Sequence, residues 1–217
     1  VAGFKSESLA GFARNLHDYQ RAGSDIVEAF TYNGHREKMR VIGKEDLLEP
    51  LNRAALQIAK KVAAAKPGNL MAGNISSTNI WKPDDRAVQT EVRGMFEEMV
   101  GWAVEEGADM IIGETFYFAE EAYAALAAAQ ATGLPTVVTI APMAENRMMD
   151  GIGIVETCQE LEQRGADVVG MNCFRGPATM LPWLRKIRSS VSCHVGVLPI
   201  PYDVTPVSHP AITRVLG

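Results

Sequence analysis

The chain has 217 residues, of which 47% are hydrophobic and 22% charged; this is the balance of a packed globular protein and excludes a mainly disordered one. Lys and Arg number 21 against 26 Asp and Glu, a formal charge of −5 with no long basic run, which argues against a nucleic-acid binder, since such a protein must displace counterions. No apolar run approaches the roughly 20 residues of a membrane span, the opening VAGFKSESLAGF does not resemble a signal peptide, and three cysteines make no disulfide framework, so reduced thiols in a cytoplasm are expected.

In chain order, residues 6–21 read as a helix leading into a first strand within QRAGSDIVEAF (20–30). Residues 47–65 place Leu51, Ala55, Ile58, Ala59 and Val62 at helical spacing, with Pro50 tolerated in the first turn, and a strand follows at 69–75. Residues 86–106 carry Val88, Val92, Phe96, Met99, Val100 and Ala103 on one side, then pass through EEGADMIIGET (105–115) into a third strand. The alanine-rich stretch 119–132 stops at Gly133-Leu134-Pro135, and a fourth strand spans 135–140. A helix over 153–164 leads through QRGADVVGMNC (163–173) to a fifth strand, and a helix over 178–189 precedes a sixth at 193–198.

The three quoted segments share one plan: a polar helix end, Gly, a small residue, Asp and an apolar run. Gly supplies the left-handed position just past a helix, and the β-branched run reads as a buried parallel strand. Six helices alternating with six strands predict an α/β protein with a parallel sheet. A closed (β/α)₈ barrel takes about 250 residues, so this chain is short by roughly one βα unit and one strand. A doubly wound open sheet stays open as an alternative, although no G-x-G-x-x-G follows a strand and no P-loop occurs. With no dividing linker, a single domain over 1–217 is expected, cut at both ends.

Reactive groups of a parallel barrel sit at the C-terminal ends of strands. These positions hold Glu28, Thr31, Tyr32 and Asn33; Asn74, Ser76, Ser77 and Thr78; Glu114 and Thr115; Met143; Asn172, Cys173 and Phe174; and Pro199 and Tyr202. Cys173, at the tip of VVGMNC beside Asn172, is placed for chemistry, against its alternative reading as a small buried hydrophobe. Cys158, mid-helix, and Cys193, at a strand start, read as core residues. Zinc needs about four ligands, and neither C-x-x-C nor H-x-x-x-H supplies them. Glu114 ends an apolar strand, where a carboxylate is costly without a cation; a salt bridge or capture of a substrate ammonium would both account for it. Ser76, Ser77 and Thr78 read as capping or turn residues, and His35 as a surface histidine.

AGSDIVEAFTY, the stretch from GHREKM to LNRAALQIAKKVA, MAGNISST, DMIIGETF followed by EEA, and above all GADVVGMNC resemble the homocysteine S-methyltransferase family, closest to its betaine–homocysteine branch, over roughly residues 9–200. The resemblance implies a (β/α)₈ TIM barrel, here incomplete, with the second to seventh strands present and the first and eighth missing. It implies zinc held by three thiolates: Cys173 matches one, and the family's Cys-Cys pair lies outside this sequence, as does its acidic first strand. It further implies a cytoplasmic enzyme that transfers a methyl group from a cationic donor, betaine favoured, to the thiolate of homocysteine, giving methionine. Glu114 matches the residue that holds the homocysteine ammonium, and Asn172 precedes the metal-ligating cysteine. The branch's two donor-caging tyrosine positions hold Asn33 and Thr115 here, with Tyr32, Phe116 and Tyr117 beside them, so S-methylmethionine, a dimethylsulfonio compound or another betaine stay open as donors. A demethylase with another thiol acceptor, and an inactive barrel homologue serving as a binding or regulatory subunit, are the competing functions. The alanine-rich and methionine-rich surfaces are compatible with a homo-oligomer.

Overall fold

A computed structural model describes residues 16–143 and 146–200. After a helical stretch at 16–21, its elements are β1 (Ile26–Glu28), α1 (Arg36–Val41), a 3₁₀ turn (Glu45–Leu47), α2 (Leu48–Ala64), β2 (Leu70–Ser76), α3 (Arg86–Glu105), β3 (Met110–Phe116), α4 (Ala119–Gln130), β4 (Thr136–Ile140), α5 (Ile154–Gln163), β5 (Val168–Asn172), α6 (Pro177–Arg188) and β6 (His194–Leu198). The six strands form one sheet in the order β1-β2-β3-β4-β5-β6, every pair parallel. Consecutive order with no reversal is the wall of a barrel and sets aside the doubly wound alternative, whose strand order switches direction. Residues 6–15 of the first predicted helix, and Tyr202, lie outside the described residues.

The repeated Gly-Ala-Asp has a structural cause. Asp109, just before β3, accepts the Met71 N–H of β2 at 2.8 Å, and Asp167, just before β5, accepts the Thr136 N–H of β4 at 2.8 Å. Each aspartate thus takes up a strand-start donor of its neighbour and pins the register there.

Strand alternation sends one set of side chains under the helices and the other to the concave side. The outer set, Val27, Met71, Ile75, Ile111, Val138, Val169 and Met171, joins Phe96, Leu126, Ile154 and Leu161 of the helices in one core. Gly73 allows α3 to lie close on β2: a Cβ there would fall 2.5 Å from that of Ala103. Asp85 caps α3 through the N–H groups of Ala87 and Val88 at 3.1 and 3.2 Å. The concave set includes Glu28, Asn74, Glu114 and Asn172, the polar ends of otherwise apolar strands.

Candidate active site

The site forms where the C-terminal ends of β1, β2, β3 and β5 converge. The Asn74 amide nitrogen donates to Glu28 at 2.7 Å and to Glu114 at 2.8 Å. From β5, the Asn172 amide nitrogen reaches past β4 to donate to the other oxygen of Glu114 at 3.1 Å and to Thr115 Oγ1 at 2.6 Å. The same nitrogen lies 3.5 Å from Cys173 Sγ, and the Asn172 carbonyl oxygen accepts the Thr115 N–H at 3.0 Å. Contact between alternate strands across the interior is the layered packing of a barrel.

A β-bulge aims β3. Gly113 pairs with Val138 and Phe116 with Ile140, so three steps on β3 oppose two on β4. The extra residue is Thr115, at φ 62°. With it, Glu114 faces the site while Phe116 turns back into the core, edge-on to Phe96 at 6.0 Å. Cys173 and Phe174 also occupy the left-handed region, at φ 59° and 55°. Such non-glycine conformations cost on the order of 1–3 kcal/mol each. The Asn172 contacts to Thr115 and Cys173, with the Cys173 N–H donated to the Leu198 carbonyl at 3.1 Å, hold two of them in place.

Glu28, Ala29, Phe30, Tyr32, Asn74, Glu114 and Cys173 line one pocket of about 290 Å³. Burial raises the Glu28 carboxyl to about 7, the charge of Glu114 adding to the shift and the Asn74 amide opposing it. Glu114 is also raised by burial, against the opposing bonds of Asn74 and Asn172 and the charge of Lys38. Burial pushes the Cys173 thiol up, with Thr115 and Asn172 opposing the shift. Burial raises the Tyr32 hydroxyl above its ordinary range, with Thr115 and Tyr117 near enough to oppose the shift, and the Tyr117 ring meets Phe174 edge-on at 5.7 Å. Behind Tyr32, Lys38 Nζ donates to its carbonyl at 2.9 Å and lies 4.0 Å from its ring centre.

The structure therefore brings together Cys173, Glu114, Thr115, Tyr32 and Asn172. Asn33 stands apart: it is exposed and lines two grooves beside α1 rather than this pocket. His35 is not a surface residue but 1% exposed, its Nδ1 accepting the Lys38 N–H at 3.4 Å to cap α1, and burial drives its pKa down to about 3. Ser77 and Thr78 do more than turn the chain. Both hydroxyls, at 2.9 and 2.7 Å, and the Thr78 N–H, at 2.8 Å, donate to Glu121 of α4, a fully buried carboxylate that sequence reasoning passed over. Its signal was present: Glu121 lies among alanines on a helix buried on nearly all sides. Cys158 is buried in α5, as expected, whereas Cys193, just before β6, is not a core residue but half-buried against the core.

Among the described residues no group of three or more His, Cys, Asp and Glu side chains is placed to hold a metal ion. Cys173 is one sulfur donor, not a zinc site. No helix among them is long and apolar enough to cross a membrane.

Comparison with known proteins agrees with this architecture. The family model for homocysteine S-methyltransferase matches residues 13–209. The S-methylmethionine–homocysteine S-methyltransferase BHMT2 of Rattus norvegicus is 30% identical over 179 residues, 82% of this chain and 47% of its own length. Betaine–homocysteine S-methyltransferase 1 of Xenopus tropicalis is 28% identical over 201 residues, 87% of this chain and 48% of its own. The chain thus spans about half the length of these curated relatives. The metallated form of the homocysteine methyltransferase MmuM from Escherichia coli superposes with a TM-score of 0.78 at 16% identity, over 97% of this chain and 78% of that one, a likeness of fold. A family model covering nearly the whole chain, on a sheet of that fold, shows that this chain belongs to the homocysteine S-methyltransferase family.

Proposed function

We propose that the chain is the homocysteine-binding part of a single (β/α)₈ barrel domain, its six strands being the second to seventh, in an enzyme that transfers a methyl group from a cationic donor to homocysteine, giving methionine. The observation that carries this reading is the convergence of Glu114 and Cys173 on one pocket, a carboxylate for the acceptor's ammonium beside a sulfur for its thiol. In this reading Asn172 orients both, through Glu114 and the Cys173 sulfur, and the bulge at Thr115 sets the depth at which the ammonium is held.

The family's chemistry uses zinc to keep the acceptor sulfur a thiolate at neutral pH. Cys173 is the residue of this chain that would ligate it, and the reading requires further thiolates from residues outside the sequence described. The chain's own part is to bind the amino acid and align its sulfur with the donor methyl, a contribution worth up to about 7–11 kcal/mol.

Betaine is the favoured donor. Relatives named for betaine and for S-methylmethionine match comparably, but Tyr32, not Asn33, faces the pocket, and Tyr117 and Phe174 stand next to it. Aromatic faces of this kind attract a quaternary ammonium. The test is methionine formation by the full-length protein from homocysteine with betaine, S-methylmethionine and a dimethylsulfonio compound in turn. Turnover fastest with betaine is expected; a preference for a sulfonium reassigns the donor, and no turnover with any of them leaves a binding or regulatory role.

A further inference from the structure

Helix α1 buries one apolar side chain, Met39, too little to hold six residues in place by packing. Polar contacts supply the rest. His35, itself buried, accepts the Lys38 backbone N–H at 3.4 Å, and the Lys38 side chain runs to the loop after β1. Its ammonium lies 4.0 Å from the Tyr32 ring centre and donates to the Tyr32 carbonyl at 2.9 Å; the same carbonyl accepts the Ser76 hydroxyl at 2.9 Å. One residue earlier, Thr31 Oγ1 donates to the Asn74 carbonyl at 2.9 Å. The backbone that carries Tyr32 is thus tied twice to β2 and once to α1, and its ring rests against Lys38.

A half-buried lysine gives up hydration and side-chain freedom, and burial pulls this one down to about 8 against the charges of Glu114 and Glu121. An ion pair would be the ordinary compensation, yet none of those among the described residues includes Lys38. Its contacts go instead to the carbonyl and the ring of Tyr32. Lys38 lines the outer groove with Asn33 and Thr78, whereas Tyr32 lines the pocket, so the lysine reaches the pocket through the tyrosine. Resting on the donor reading above, we propose that Lys38 is a positioning residue for the methyl donor, holding the Tyr32 ring where the donor's cation meets it. Donor affinity is then set in part by α1, outside the pocket, and separately from the acceptor affinity that Glu114 governs.

The test is steady-state kinetics of the full-length protein with whichever of betaine, S-methylmethionine and a dimethylsulfonio compound it turns over fastest, beside calorimetric titration with L-homocysteine. Lys38→Met keeps the stem and removes the N–H groups and the charge. It should raise the donor KM about tenfold, with kcat and the homocysteine dissociation constant within about threefold of wild type. Lys38→Arg, which returns N–H donors and a cation to the ring, should recover the donor KM to within about threefold. In a Tyr32→Leu background, Lys38→Met should change the donor KM by less than about twofold, because no ring is left to hold. Lys38→Gln is the second variant, read in the same way where Lys38→Met does not fold. An unchanged donor KM, no recovery by arginine, an equal loss in both backgrounds, or a loss confined to homocysteine overturns the role; the last assigns Lys38 to the charge of Glu114. Normal turnover by such variants leaves the methyl-transfer reading standing. A wild-type protein inert with every donor discards that reading and this role together.

Discussion

Asn172 is the residue on which the site's geometry depends. Its one amide holds Glu114, both polar atoms of Thr115 and the Cys173 sulfur, and it steadies two left-handed backbone conformations. Asn172→Ala leaves a buried N–H and a carboxylate without their partner, and should cost about 3 kcal/mol in urea unfolding. Glu114→Ala should raise the KM for homocysteine tenfold or more, as the loss of about 1.5–3 kcal/mol from a charge-assisted bond requires, with the donor's KM little changed; equal effects on both substrates would deny it the ammonium. In the full-length enzyme, Cys173→Ser should remove both bound zinc and methyl transfer while circular dichroism stays native. Glu114, Thr115, Asn172 and Cys173 were legible because each ends or follows a strand whose pattern is plain. Tyr32 and Asn33 were not separable, since they are neighbours in a loop and only the fold decides which one faces inward. Glu121 and His35 were missed for a related reason: Glu121 meets Ser77 and Thr78 more than forty positions away, and burial of a lone histidine in a loop leaves no periodic trace.

At the scale of elements, helix and strand limits followed from punctuation that has physical work to do. The Gly-Ala-Asp joints end helices and begin strands, and two of the aspartates bond the neighbouring strand. Helix α1 escaped because six residues with one buried side chain, Met39, make no amphipathic pattern. The bulge in β3 escaped because nothing in GETF distinguishes Thr115 from an ordinary strand residue; Asn172, which bonds it, lies 57 positions on. Helix α4 is the element that fixes the wall behind the site, through the three bonds accepted by Glu121. Glu121→Gln sets an amide N–H₂ among donors and should destabilise the protein by about 2 kcal/mol, measured as a lowered urea midpoint, with faster hydrogen exchange at Thr78.

For the whole molecule, buried titratable groups shape the response to pH. His35 is held neutral, its pKa pushed down by burial and by the charge of Lys38 from 6.5 to about 3, so its contribution is full above pH 6.5 and is lost as pH falls toward 3. Glu28, raised to about 7, works in the opposite sense: its contribution is full below pH 4.5 and is lost as pH rises to 7. His35→Gln should therefore be less stable than wild type at pH 8, by about 1 kcal/mol for the lost cap of α1, and the gap should close or reverse by pH 4 in urea titrations. A gap constant with pH would show that His35 titrates normally. The parallel, consecutive sheet was readable from the αβ period because each unit encodes its own helix, joint and strand; the charge network was not, because no unit contains it. That separation has a consequence for how the protein is made. Glu28 meets the Asn74 amide only after 46 further residues, and Glu114 meets that of Asn172 only after 58. During synthesis and refolding these long-range bonds close only after the loop entropy of one βα unit, for the first, and two, for the second, has been spent. A nascent chain that stops short of β5 carries Glu114 without its Asn172 partner and Cys173 not at all, so the pocket they line is completed at the end of folding rather than along the way.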